Sequence, residues 1–114
     1  MTTVYGIKNC DTVKKALKWL DKHNIAYQFH DLRQDGINKS DLQQWTKDVS
    51  WEVLLNTRST TWRQLTDKDK QAVDADKAIC LMLANPTLIK RPVITQGKTT
   101  LVGFNETEYK KTLN

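Results

Sequence analysis

The sequence predicts an α/β fold in which a βαβ unit opens the chain, a ββα unit closes it, and a helical insert separates the two. Three observations carry this. From Thr2 to His30 the residue pattern runs strand, helix, strand. From Val93 onward two β-prone runs flank a tight turn and lead into a capped helix. Between them apolar residues recur only at helical spacing. At 114 residues and 13.2 kDa the chain is sized for a single domain, residues 1–114, with the insert from about Arg33 to Arg91.

Thr2 to Ile7 is β-prone. After Cys10, residues Val13, Ala16, Leu17 and Leu20 fall at i, i+3, i+4 and i+7, one face of a helix that ends near Asn24. Lys14, Lys15, Lys18 and Asp21 take its wet side. Ile25 to His30 then alternates apolar and polar residues, the period of a half-buried strand. A βαβ unit implies a parallel pair with a right-handed crossover. The turn signal Asp35-Gly36 closes it.

In the insert, Asn38 stands where a helix cap belongs, and Ile37 and Leu42 are spaced as a hydrophobic staple. Leu42, Trp45 and Val49 supply the buried side, and Trp51 to Leu55 forms a second short helical piece. Asn56 to Thr61 reads as a hydroxyl-rich connector favouring neither helix nor strand, and Asp67 to Gln71 as one turn of helix. Ala75, Ala78, Ile79 and Met82 show helical spacing again, stopped at Asn85-Pro86 because proline disfavours the α conformation before it. Trp45, Trp51 and Trp62 are expected to pack the core of the insert.

Val93-Ile94-Thr95 and Thr99 to Val102 flank Gln96-Gly97-Lys98, a hairpin signal. Asn105 and Glu108 have capping-box spacing, and Phe104 and Tyr109 are placed to staple a last helix reaching about Leu113. A βαβ half, a ββα half and an early cysteine at the first helix make the thioredoxin/glutaredoxin plan, interrupted here by the insert.

With 39% hydrophobic and 27% charged residues, and without an apolar run long enough for a bilayer or a leader-like segment, the expected setting is cytoplasmic, with no membrane partner. The net charge of +5 comes from lysines scattered along the chain without a basic block. That favours a soluble surface with a mild preference for anions over a nucleic-acid interface. Cys10 and Cys80 make no metal-ligand pattern, and His23 and His30 are isolated, so neither zinc nor a structural disulfide is expected.

Cys10 lies in a polar turn, Lys8-Asn9-Cys10-Asp11-Thr12, rather than on an apolar face. A thiol at a helix N-terminus meets unpaired N–H groups and the positive end of the helix dipole, which favour the reactive thiolate. Lys8 adds to that effect and Asp11 opposes it. Cys80 adjoins Ile79 and Leu81 and is expected in the core. Cys10-Asp11-Thr12-Val13 is not a Cys-x-x-Cys, so a dithiol cycle at this site is excluded. A single thiol must be resolved from outside, most simply by glutathione, or by a remote cysteine. Arg58 lies in the hydroxyl-rich connector, and Arg91 directly precedes Pro92 at a strand entrance. In the thioredoxin plan that proline is typically cis and faces the cysteine, which would stand Arg91 beside Cys10. Guanidinium groups there would stabilise a thiolate and hold carboxylates or oxyanions bidentately.

Three separated motifs carry a resemblance. They are Tyr5 to Thr12 with Lys14-Lys15-Ala16, Leu55 to Ser59 with Thr61-Trp62-Arg63, and Ile89-Lys90-Arg91-Pro92-Val93. On them the chain resembles the arsenate reductase/Spx family of thioredoxin-fold proteins, most closely its YffB-like members, over essentially its whole length. The resemblance implies that Cys10 is the nucleophile and that Arg58 and Arg91 belong to the anion site. Glutaredoxin-coupled arsenate reductases use a third arginine after the final hairpin, where this chain has Leu101-Val102-Gly103-Phe104. Redox-sensing Spx regulators carry a Cys-x-x-Cys, which is absent here. The expectation is therefore a glutathione-dependent thiol-disulfide reductase of the single-cysteine type, acting on a disulfide or glutathionylated substrate. Cys10, Arg58 and Arg91 would be catalytic. Lys8, Asn9, Arg58, Arg91, Pro92 and Val93 would hold glutathione, the segment from Arg91 to Val93 acting as a strand edge for the tripeptide backbone. The alternatives are a glutaredoxin-coupled arsenate reductase and an Spx-like regulator that binds RNA polymerase without catalysis.

Overall fold

The architecture follows from how the first strand is shared. The computed structural model describes residues 2–113. Strand β1 (Thr2–Gly6), helix α1 (Asp11–Lys22) and strand β2 (Tyr27–Asp31) form the βαβ unit, with Thr2 opposite Tyr27 and Gly6 opposite Asp31 in a parallel pair. Strand β3 (Val93–Gln96) lies antiparallel along the other side of β1, Tyr5 facing Val93, and β4 (Thr99–Val102) pairs antiparallel with β3. The sheet order is β2-β1-β3-β4. Gly97, at φ +62°, supplies the left-handed backbone that the tight β3–β4 turn requires. This is the mixed α/β, thioredoxin-like plan that the sequence predicts.

The chain divides into two compact units, one comprising the residues up to Asp35 with those from Arg91 onward, the other Gly36–Lys90. In the first, Val4 and Ile94 are register partners and share one apolar cluster with Ala16, Trp19 and Leu20 of α1 and Tyr109 of the last helix, α7 (Glu106–Thr112). Both helices therefore cover the same face of the sheet. Within α1 the buried residues are Val13, Ala16, Trp19 and Leu20. Leu17, expected on that face, is only partly buried and Trp19 takes the space beside Tyr109, their rings edge to face at 5.3 Å. The α7 staple forms as expected, with the Phe104 and Tyr109 ring centroids 5.5 Å apart, and the Asn105 side chain accepts the Glu108 N–H at 3.1 Å. The buried Tyr109 hydroxyl donates to the Gly103 carbonyl at 2.5 Å.

Helix α1 ends in a Schellman motif. Asn24 takes φ +56°, its N–H bonds the Asp21 carbonyl at 3.2 Å, and the Ile25 N–H bonds the Leu20 carbonyl at 3.0 Å. With its N–H committed to the helix, Ile25 joins the core rather than the strand ladder, and β2 begins at Tyr27, later than the Ile25 expected from alternation.

The second unit holds α2 (Lys39–Asp48), α3 (Trp51–Leu54), α4 (Thr60–Gln64), α5 (Asp67–Lys70), α6 (Ala75–Ala84) and a 3-10 turn at Pro86–Leu88. Helix α6 contacts α2, α3 and the 3-10 turn, and Leu42, Trp45, Leu54, Ala78, Met82 and Leu88 are buried there. Leu55 and Ile89 form an antiparallel bridge, flanked by Asn56 N–H to Leu88 O at 2.8 Å and Lys90 N–H to Leu54 O at 2.7 Å.

Several expectations for the insert need correcting. The connector Asn56 to Thr61 is not structureless: the Ser59 hydroxyl accepts the Trp62 N–H at 3.1 Å and starts α4. Asn38 occupies the cap position of α2, but its side chain makes no capping bond. Trp45 is 2% exposed as a core residue should be, whereas Trp51 and Trp62 are half-buried, and the Lys70 ammonium lies 5.9 Å from the Trp62 ring centroid. Cys80 is exposed, not core. One residue beyond buried Ile79 is about 100° around the helix, which puts Cys80 on the solvent stripe with Asp76 and Ala84, both exposed.

Candidate active site at the start of the first helix

Gly6 fixes how β1 meets α1. A Cβ on Gly6 would lie 2.8 Å from Val13 Cγ2 and 3.1 Å from Val13 Cγ1, so strand end and first helical turn approach closer than any side chain allows. The connection between them is correspondingly short. Ile7 is buried and anchors it, while Lys8 and Asn9 are exposed in the turn that follows. Cys10 is the N-cap of α1, with extended backbone (φ −121°, ψ 122°), and its carbonyl accepts the Lys14 N–H at 3.0 Å. Its side chain makes no capping bond. A thiol thus occupies the place where a Ser or Asp would normally accept a first-turn N–H, and the half-buried sulfur is left for chemistry.

The antiparallel β1–β3 register brings a second segment to the same end of the sheet. Because Tyr5 faces Val93, the preceding Arg91 and Pro92 stand beside the exit of β1, where the Ile7–Cys10 connection begins. The Arg91–Pro92 peptide bond is cis. Lys8, Asn9, Cys10, Arg91, Pro92 and Val93 are therefore gathered by one unit at one end of one sheet.

One expectation about that segment fails. Pro92 and Val93 are not an open strand edge: Val93 is paired on both sides, with Tyr5 and with Val102, and the Pro92 carbonyl accepts the Gly103 N–H at 2.8 Å. β3 is an interior strand. A peptide ligand has no ladder to join at these two residues, and they supply packing instead.

Arg58 lies in the other unit, exposed, in the turn between α3 and α4. That turn is built, not loose. The Asn56 side-chain oxygen accepts the Arg58 N–H at 3.1 Å, the Ser59 hydroxyl donates to the Asn56 carbonyl at 2.9 Å, and the Thr61 and Thr87 hydroxyls are 2.6 Å apart. Asn56 and Ser59 thus present Arg58, roles that their Asx-turn and cap chemistry could have signalled in the sequence. Among the described residues there is no group of three or more His, Cys, Asp or Glu that could hold a metal ion, and no helix is long and apolar enough to cross a membrane.

A four-stranded β2-β1-β3-β4 sheet, a thiol at the N-cap of the first helix and a cis-proline entering the neighbouring strand define a thioredoxin-like protein. Residues 5–112 match the ArsC family profile, and the chain belongs to the ArsC family. It is 55% identical over 109 residues to an uncharacterised protein of Haemophilus influenzae, covering 96% of each chain. It is 30% identical over 111 residues to the global transcriptional regulator Spx of Streptococcus mutans, covering 95% of this chain and 80% of that one. The solved structure of a YffB protein superposes with a TM-score of 0.97 at 46% identity, covering all of both chains.

Proposed function

We propose that this protein is a glutathione-dependent thiol-disulfide reductase in which Cys10 is the single nucleophile. The observation that carries this reading is the position of Cys10, half-buried at the N-cap of α1 with its side chain uncommitted, beside the cis-proline segment. The Cys10 thiolate attacks the glutathione sulfur of a glutathionylated substrate; the mixed disulfide breaks and the substrate leaves as a thiolate that takes up a proton. A second glutathione thiolate then attacks the Cys10–glutathione disulfide, releasing oxidised glutathione and regenerating Cys10. The incoming glutathione thiolate is the reductant, and the glutathione carried in by the substrate stays at the disulfide level and leaves in the oxidised glutathione. Lys8 and Arg91 hold the tripeptide carboxylates and Asn9 offers an amide, while Pro92 and Val93, both buried, fix the backbone that presents Arg91 and do not touch the ligand. Arg58 enters the reading through its sequence motif as a second guanidinium. A reducing cytoplasm, where glutathione is abundant, is the fitting compartment.

The direct test is turnover. With a glutathionylated peptide and reduced glutathione, the wild type releases free peptide thiol and the Cys10→Ser protein does not; full activity in Cys10→Ser sinks the reading. The absence of a third arginine near Leu101 to Phe104 places arsenate behind disulfides as a substrate. Identity to Spx favours one second reading, a regulator that binds RNA polymerase. Retention of the chain on immobilised RNA polymerase, undiminished by Cys10→Ser, would favour it over catalysis.

A further inference from the structure

Helix α1 carries a second stripe besides the one it buries. Lys15, Lys18, Trp19 and Lys22 repeat the i, i+3, i+4, i+7 spacing and line one side of a cavity of about 960 Å³, with Phe104 and residues of α7 on the other. Among the described residues the lining is one-sided in charge: Lys110 and Lys111 join the three α1 lysines, against one carboxylate, Glu106. That surplus of four positive charges compares with a formal net charge of +5 for the whole chain. Lysines that are scattered in the sequence are concentrated by the fold into one groove.

The floor is aromatic and held in place. Trp19 is 8% exposed, the His23 ring stacks on it at 3.9 Å between centroids, and His23 Nδ1 donates to the Trp19 carbonyl at 2.9 Å. Phe104 borders the same space and packs edge to face on Tyr109. The α1 lysines span seven residues, about 10 Å along the axis, so their charges do not converge on one point. No arginine lines the groove, and the rigid two-pronged clamp that recognises a single phosphate is missing. The match is an occupant with several negative charges spaced along it and an apolar side to lay on the aromatic floor.

We propose that the α1–α7 groove is a docking site for an acidic amphipathic segment of a partner protein, whose carboxylates meet Lys15, Lys18, Lys22, Lys110 and Lys111 and whose apolar side chains lie on Phe104 and on the His23 ring that covers Trp19. Along α1 the groove lysines run from about 7.5 Å (Lys15) to about 18 Å (Lys22) beyond Cys10, and Cys10 is not part of the lining. The site is distinct from the thiol, and the proposal does not depend on thiol chemistry.

The test uses the full chain and a fluorescent amphipathic peptide of alternating Glu and Leu pairs, followed by anisotropy and by the Trp19 indole N–H resonance. The peptide binds at low salt, weakens as salt rises, and shifts the Trp19 resonance. The Lys18→Glu/Lys22→Glu double variant loses at least about 10-fold in affinity. A Lys47→Glu/Lys98→Glu control, equal in net charge and exposed elsewhere, changes it by no more than about twofold. Cys10→Ser binds as the wild type does. Absence of peptide binding, an equal loss in both double variants, dependence on Cys10, or tighter groove binding by a labelled oligothymidine would each overturn the proposal, the last by making a nucleic acid the occupant.

Discussion

Gly6 and Val13 govern the geometry that presents Cys10. Val13 is fully buried and β-branched, with one strongly preferred rotamer in a helix, so it cannot yield to a new methyl at 2.8 Å. Gly6→Ala should therefore push the first turn of α1 outward, at a cost of about 1–3 kcal/mol by urea denaturation. Adding Val13→Ala should recover part of that loss; an unchanged midpoint in Gly6→Ala alone would contradict the close approach. On the proposed reading, in which Arg58 is a second guanidinium for glutathione, Arg58→Ala should lower kcat/KM by about 10–100-fold, the worth of one charge-assisted bond of about 1.5–3 kcal/mol. Arg58→Lys should restore only part, since an ammonium lacks the planar fork. Cys10 was legible in the sequence because it directly precedes the periodic residues that define α1. Cys80 was not: its neighbours Ile79 and Leu81 are apolar, but along a helix adjacent residues point about 100° apart, so flanking residues say little about burial.

At the level of elements, sequence placed most of the helix and strand segments and missed one helix outright. Helix α7 shows why the first succeeds, because cap and staple residues agree with the apolar pattern, and Asn105 caps the helix while Phe104 meets Tyr109. The hidden α4 is the one missed, since a run of hydroxyls reads as loop although one of them, Ser59, serves as a helix cap. Asn38 and Asn105 both have cap spacing, yet only Asn105 makes the bond. Asn105→Ala is accordingly expected to cost about 1 kcal/mol, and Asn38→Ala distinctly less. Equal losses in thermal or chemical denaturation would show that the cap bond is not what distinguishes them.

Across the whole molecule, two features depend on residues that the sequence does not bring together. One is the lysine groove between α1 and α7, invisible to any linear count of charge. The other is the buried Tyr109. Burial raises its hydroxyl above the ordinary value of 10.0, so the folded chain keeps a proton that the unfolded chain releases. The stability linked to this group is complete below about pH 10 and is lost as pH climbs beyond it. The melting temperature of the wild type should fall more steeply above that pH than that of Tyr109→Phe. At neutral pH Tyr109→Phe should itself be less stable by about 1–3 kcal/mol, because the buried Gly103 carbonyl loses its donor. Parallel alkaline profiles would remove Tyr109 as the source.

The central claim is that Cys10 is the thiol that exchanges with glutathione, and the exposure of Cys80 dictates how it is tested. The measurement is intact mass and peptide mapping of the wild type, Cys10→Ser and Cys80→Ser proteins after oxidised glutathione. The prediction is one glutathione on Cys10 in both the wild type and Cys80→Ser, removed again by reduced glutathione. An adduct confined to Cys80, with none forming in Cys80→Ser, would contradict it.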